Sequence, residues 1–205
     1  MRRLLLTLIL VVGCAPLARA QESAARLITP AQLAATLDDP GLVLLHVGDR
    51  AEYNAEHIPG ARFMGLHDIA DMRDNLALEM PPIDELRPRL EAAGISDGSK
   101  VVVYFGKDWV SPSTRVLFTL AHAGLGDVAL LDGGMGAWKS AGHPVTDVVP
   151  PSRSGTLTLL TARDDIADAA YLQAHIGKPG FVLIDARDAA FYAGTREGGP
   201  RDRRV

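Results

Sequence analysis

Pro40-Gly41-Leu42-Val43-Leu44-Leu45-His46-Val47 decides the fold. After the Pro-Gly turn, apolar residues occupy odd and even positions alike. A strand with one wetted face alternates, so a run without alternation belongs to a strand covered on both faces, as in a parallel sheet. Lys100–Tyr104 and Val128–Leu131 repeat the pattern. Between these runs the spacing predicts helices. One is capped by Thr29 with Pro30 at its first position and runs to about Leu37. Others cover Ala51–Glu56, Ile83–Ala93, Ser111 to near Gly124, and Gly136–Ser140. Ile58-Pro59-Gly60-Ala61 is a turn into a short strand, Arg62–Met64. Strands alternating with helices predict an α/β fold with a central parallel sheet flanked by helices.

The same stretch occurs twice. Pro179-Gly180-Phe181-Val182-Leu183-Ile184-Asp185 lies 139 positions after it, and in that register Leu172 falls on Leu33, Asp188 on Asp49 and Tyr192 on Tyr53. A turn, a strand, an Asp and a Tyr in one ungapped register indicate internal duplication. The second copy runs only from Leu159 to Val205, so equivalents of Val101–Tyr104 and Val128–Leu131 are absent from it. A piece of that size cannot close a sheet by itself. Ala141–Gly155, with Pro144, Pro150 and Pro151, reads as the connection between the copies.

The chain has 205 residues, 47% of them hydrophobic, with a formal charge of −4 and one cysteine, Cys14. That composition is globular and excludes a disulfide framework or a cysteine-based zinc site. The acidic balance, without a basic stripe, argues against nucleic acid as a partner. Arg2 and Arg3, the apolar run Leu4–Val12 and Ala18-Arg19-Ala20 have the order of a secretory signal. The apolar run falls well short of the roughly 20 residues of a membrane-spanning helix. Cleavage after Ala20 makes Gln21 the mature N-terminus. Alternatively, Val11-Val12-Gly13-Cys14 resembles a bacterial lipobox, and a lipidated Cys14 would attach the protein to a membrane. Under either reading the protein is exported to the periplasm or the membrane surface, without a free thiol. Loss of residues 1–20 leaves 18 basic and 25 acidic residues.

His57-Ile58-Pro59-Gly60-Ala61, following Asp49-Arg50-Ala51-Glu52-Tyr53, resembles the signature near the start of rhodanese domains. Leu131-Asp132-Gly133-Gly134-Met135-Gly136-Ala137-Trp138 resembles the one near their end. With the duplication, the chain resembles the tandem thiosulfate and 3-mercaptopyruvate sulfurtransferases. Together with the readings above, the resemblance divides the chain into four segments: a signal peptide over 1–20, a first rhodanese-like domain over 27–145, a linker over 146–158 and an incomplete second domain over 159–205. It also implies sulfane-sulfur transfer from a small anionic donor, thiosulfate or 3-mercaptopyruvate, through a loop cysteine. Backbone N–H groups and a helix N-terminus stabilise the thiolate of that cysteine.

Here Phe105 follows Tyr104, and no cysteine lies in the loop through Ser113. The first copy therefore resembles the non-catalytic domain of a tandem pair, and the second stops before its own loop. No catalytic residue is expected in this chain, which is expected to be inactive alone. The family's Asp-x-Arg at the end of the first strand is kept as Asp185-Ala186-Arg187, but the first copy has His46-Val47-Gly48. The charged end from Arg196 to Val205 is read as the product of a truncation or frameshift.

Arg115, in the first turn of the helix after the loop, is the candidate substrate-binding residue, gripping a sulfur oxyanion or carboxylate; a structural ion pair is its other reading. Ser111 and Ser113 are expected to cap that helix. His57 is expected to be packed and bonded to backbone, and Trp138 to be core. His46 and His122 lack metal-ligand spacing, and Gly133-Gly134 lacks dinucleotide-loop spacing, so no metal or cofactor is expected. A non-catalytic module that binds an anion or a protein is the alternative function.

Overall fold

The computed structural model describes residues 26–73, 76–107 and 110–196. The expected export signal with Cys14 and the basic end carrying Arg201, Arg203 and Arg204 lie outside them. The elements run β1 (Arg26–Ile28), α1 (Pro30–Ala34), β2 (Leu42–Val47), α2 (Arg50–Ala55), β3 (Arg62–Met64), a 3-10 turn (Leu66–Asp68), β4 (Asp71–Arg73), β5 (Leu76–Glu79), α3 (Ile83–Ala92), β6 (Lys100–Phe105), α4 (Ser111–His122), β7 (Val128–Leu131), α5 (Gly134–Ser140), α6 (Ala169–His175) and α7 (Ala189–Tyr192). They fall into two units that meet between Arg163 and Asp164.

The first unit is built on a five-stranded parallel sheet in the order β1-β7-β6-β2-β3. This is the α/β fold with a central parallel sheet that the apolar runs predict. Alternation along β2 divides the core. Val43, Leu45 and Val47 face one side, packing with Val101, Val103, Leu86, Leu90 and Leu120. Leu44 faces the other, with Val102, Tyr104, Leu33, Ile58 and Trp138. Both faces are covered, which is why the run is continuous.

Thr29 and Gln32 form a capping box at α1, as expected of Thr29-Pro30. Asp49 caps α2 through the N–H groups of Ala51 and Glu52. Two expectations at α4 change. Its cap is Val110, which makes no side-chain bond, so neither Ser111 nor Ser113 caps the helix. The backbone is already helical at Val110, which puts Ser111 inside the first turn. The Ser113 hydroxyl is buried without a hydrogen-bond partner.

Residues 146–163, which include Pro150 and Pro151, are bound along the first unit. Leu157 and Leu160 enter the core. The Gly155 N–H donates to the Glu91 carbonyl (2.7 Å) and the Leu157 N–H to the Glu91 carboxylate (2.8 Å).

The second unit carries α6, capped by Asp168, and α7, capped by Asp188. The strand expected over Phe181–Asp185 is not formed: the backbone there is irregular, and Val182 and Ile184 are 79% and 78% exposed. A strand exists through its neighbours, and no strand occurs among the described residues of this unit.

Candidate functional site

Ligands of open parallel sheets bind outside the carboxyl ends of the strands. At that edge β2 ends in His46-Val47 and β6 in Phe105, followed by Gly106 and Lys107. A cavity of about 210 Å³ opens there, lined by His46, Glu52, Glu56, Gly106, Lys107 and Met135 among others.

Glu52 projects from the first turn of α2 towards the loop after β6, and its Oε2 accepts the Lys107 N–H at 3.0 Å. A Cβ at Gly106 would meet that same oxygen, so a larger residue there would displace the Glu52 side chain. The loop that in the resemblance turns its N–H groups towards a thiolate here gives one of them to a carboxylate fixed in the chain.

His46 is 1% exposed, and among the described residues neither ring nitrogen has a hydrogen-bond partner. Its ring lies in an aromatic nest, 4.9 Å from Tyr104 and 5.5 Å from Tyr53 between centroids. Burial pushes its pKa down to about 4; the Glu52 carboxylate opposes the shift and His57 adds to it. The imidazole is therefore neutral at physiological pH, with one N–H and one lone pair to offer.

The two signature motifs meet across the core below this edge. The His57 backbone exchanges both hydrogen bonds with Thr146, and its ring nitrogens face the carbonyls of Tyr53 (2.7 Å) and Val148 (3.2 Å). The Ile58 N–H donates to the buried Tyr104 hydroxyl at 3.1 Å. Trp138 is fully buried and donates its indole N–H to the Pro144 carbonyl at 2.8 Å. Gly133 and Gly134 turn through the left-handed region, with φ of 70° and 55°. A Cβ at Gly134 would stand 2.7 Å from the Phe105 carbonyl oxygen. Both motifs thus pack against the end of β6, and His57 is the packed histidine and Trp138 the core residue expected.

Arg115 is half-buried on α4. Its Nη2 donates to the Leu78 carbonyl at 2.7 Å and its Nε contacts the Thr119 hydroxyl at 3.4 Å. Leu78 is a non-glycine residue at φ 62°, a conformation costing about 1 kcal/mol, and the guanidinium holds its carbonyl in place. Arg115 is absent from the cavity lining around His46. Among the described residues no group of three His, Cys, Asp or Glu is placed to hold a metal ion, and no helix is long and apolar enough to cross a membrane. Sequence reasoning missed Glu52 and Lys107 as partners, because 55 residues separate them and only the β2–β6 pairing brings them together.

The fold defines a class, the parallel α/β domains that place a loop and a helix N-terminus at the carboxyl edge of the central strand. Within that class, a family model described as "Rhodanese-like domain" matches residues 29–141, and the chain belongs to this family. The probable 3-mercaptopyruvate sulfurtransferase of Pseudomonas aeruginosa is 36% identical over 188 residues, covering 85% of this chain and 66% of that protein. The thiosulfate sulfurtransferase of Cricetulus griseus is 30% identical, covering 71% of this chain and 50% of that protein. The chain thus spans between half and two thirds of these relatives. The solved structure of 3-mercaptopyruvate sulfurtransferase from Leishmania major matches with a TM-score of 0.67 at 20% identity, covering 82% of this chain and 48% of that one. At that identity the likeness concerns the fold.

Proposed function

We propose that residues 26–163 form the non-catalytic domain of an exported tandem sulfurtransferase of the thiosulfate or 3-mercaptopyruvate type, and that residues 164–205 begin its second domain. The relatives' names supply the reaction class, and the Pseudomonas alignment covers more of the chain than the family match over 29–141. The observation that carries the non-catalytic part is the bond between the Lys107 N–H and Glu52. Phe105 stands where a nucleophile is needed, and the adjoining backbone donor is already taken by a carboxylate. Such a site repels a thiolate or a sulfur oxyanion instead of stabilising it. The domain would then serve as a scaffold and as one wall of a cleft for an anionic donor. Pure protein of this sequence is expected to release thiocyanate from thiosulfate and cyanide no faster than a thiol-free control protein; release above that control overturns the reading. Mass spectrometry of the mature N-terminus tests the export reading, by finding Gln21 or an acylated Cys14.

A second reading is a binding module that grips a sulfur oxyanion through Arg115 without turnover. The bonds to Leu78 and Thr119 favour it to the extent that they orient the guanidinium. Thiosulfate would then raise the melting temperature saturably in the native protein and not in Arg115→Ala. A lower melting temperature in the variant with no thiosulfate effect in either protein leaves Arg115 as the anchor of Leu78 alone.

A further inference from the structure

Two acceptors converge on Gly106. A Cβ there would meet Glu52 Oε2 first and His46 Nε2 at 3.4 Å, so carboxylate and imidazole border the same small volume. Both belong to the lining of the 210 Å³ cavity, which is smaller than the roughly 300 Å³ and above of pockets for drug-sized ligands and suits a group of a few heavy atoms. Glu56, on the same rim, is paired with Lys139 at 2.6 Å. Glu52 has no ion pair among the described residues; its only side-chain bond there is the neutral Lys107 N–H.

The internal repeat indicates which chemistry the volume suits. In the second copy Asp185 occupies the position of His46, and Arg187 that of Gly48. The Arg187 guanidinium embraces the Asp185 carboxylate, with contacts of 3.0 Å from Nε and 2.6 Å from Nη2. In the first copy the arginine is replaced by glycine. The acceptors that remain are the neutral His46 ring and the carboxylate that α2 brings in.

We propose that the cavity between His46 and Glu52 is a binding site for a guanidinium group, with Glu52 as its counter-charge and His46 as an acceptor for a further N–H. A planar fork of N–H donors matches a carboxylate beside a second acceptor, whereas a cation without N–H groups offers the carboxylate charge alone and hydrogen-bonds to neither. The carboxylate also excludes the anionic sulfur compounds considered above. The inference stands on this geometry and does not depend on the sulfur-transfer reading. The group could belong to a small guanidinium compound or to an arginine side chain of a peptide.

The test is a titration of the full chain, followed by the ring signals of His46 in NMR spectra. The probes are methylguanidinium, a blocked Gly-Arg-Gly peptide and tetramethylammonium. Methylguanidinium or the peptide is expected to saturate the His46 shift in the roughly millimolar range that a single small charged group gives, and the tighter of the two identifies the source. Tetramethylammonium is expected to leave the shift unsaturated. Glu52→Gln, which keeps an acceptor for the Lys107 N–H, should weaken binding at least tenfold. His46→Phe, which keeps the aromatic packing, should weaken it several-fold, followed through the Lys107 amide. No saturable shift with either guanidinium probe overturns the proposal, as does equal response to tetramethylammonium or undiminished affinity in both variants.

Discussion

Leu42–Val47 and residues 181–186, the two stretches that the sequence reading takes as copies, are similar pieces of sequence in two different surroundings. In the first copy every residue of the strand after Leu42 is buried, and β6 and β3 flank it on either side. In the second copy the equivalent residues form no strand, and Ile184 is 78% exposed where Leu45 is wholly buried. Tyr53 is 2% exposed and donates its hydroxyl to the Ala61 carbonyl at 2.9 Å, whereas Tyr192 is 76% exposed. A strand pattern is thus a statement about what must cover it. The apolar run specifies that both faces be buried, and among the described residues only Leu42–Val47 has the helices and strands that bury it.

Paired substitutions break this comparison most directly. Leu45→Ala removes a fully buried side chain from the centre of the sheet and is expected to cost about 3 kcal/mol in urea unfolding. Ile184→Ala, at the equivalent position, is expected to change stability by less than about 0.5 kcal/mol. A loss at Ile184 approaching that at Leu45 would mean that the second copy is packed in solution.

His46 and Asp185 sharpen it electrostatically, because one position carries two solutions to the end of a strand. Asp185 is met by Arg187, whose hydrogen bonds hold its pKa down at about 2. His46 has no partner, and burial holds its pKa at about 4, against an ordinary value of 6.5. The unfolded chain therefore takes up a proton below pH 6.5 that folded His46 refuses until about pH 4. The contribution is intact above pH 6.5 and is lost as the pH falls towards 4, amounting to about 2 kcal/mol by pH 4.5. Unfolding of the native protein and of His46→Phe at pH 7.5 and 4.5 checks this. The variant should lose less stability on acidification, and equal losses would show that the buried ring is not what titrates.

What could be read in the sequence divides along the same line. β2, β6 and β7 announce themselves because burial on both faces leaves no polar position to blur the run. β4 and β5 do not: Met72, Leu76 and Leu78 are exposed, and Asp71 and Arg73 take part in ion pairs with Arg89 and Glu85 from α3. A hairpin held by ion pairs to the following helix leaves no periodicity of its own. At the site, the phenylalanine that follows Tyr104 was legible, since it needs only its place in the sequence. The contact between Glu52 and Lys107 was not, and neither was the use of Arg115 on the Leu78 carbonyl. Both depend on which elements the sheet sets side by side.

Helix caps give the smallest effect and the finest discrimination, because they are local and survive in both copies. Thr29 and Asp168 stand at equivalent positions, and each accepts the N–H three residues on, from Gln32 and Tyr171 respectively. Asp49 and Asp188 are likewise equivalent, accepting from Ala51 at 2.6 Å and Ala190 at 2.9 Å. A cap needs only its own first turn, so the loss of tertiary packing leaves it in place. Its contribution to global stability, however, passes through whatever the helix packs against. Asp49→Ala is expected to lower the unfolding free energy by about 1 kcal/mol, because α2 carries buried Tyr53 into the core. In Asp188→Ala the unfolding midpoint should stay unchanged while the helical Cα shifts of Ala189–Tyr192 disappear, since a four-residue helix has no margin of its own. Equal shifts of the midpoint in the two variants would mean that both helices unfold with one cooperative core. The contrast between covered and uncovered copies would then fail at its most local level.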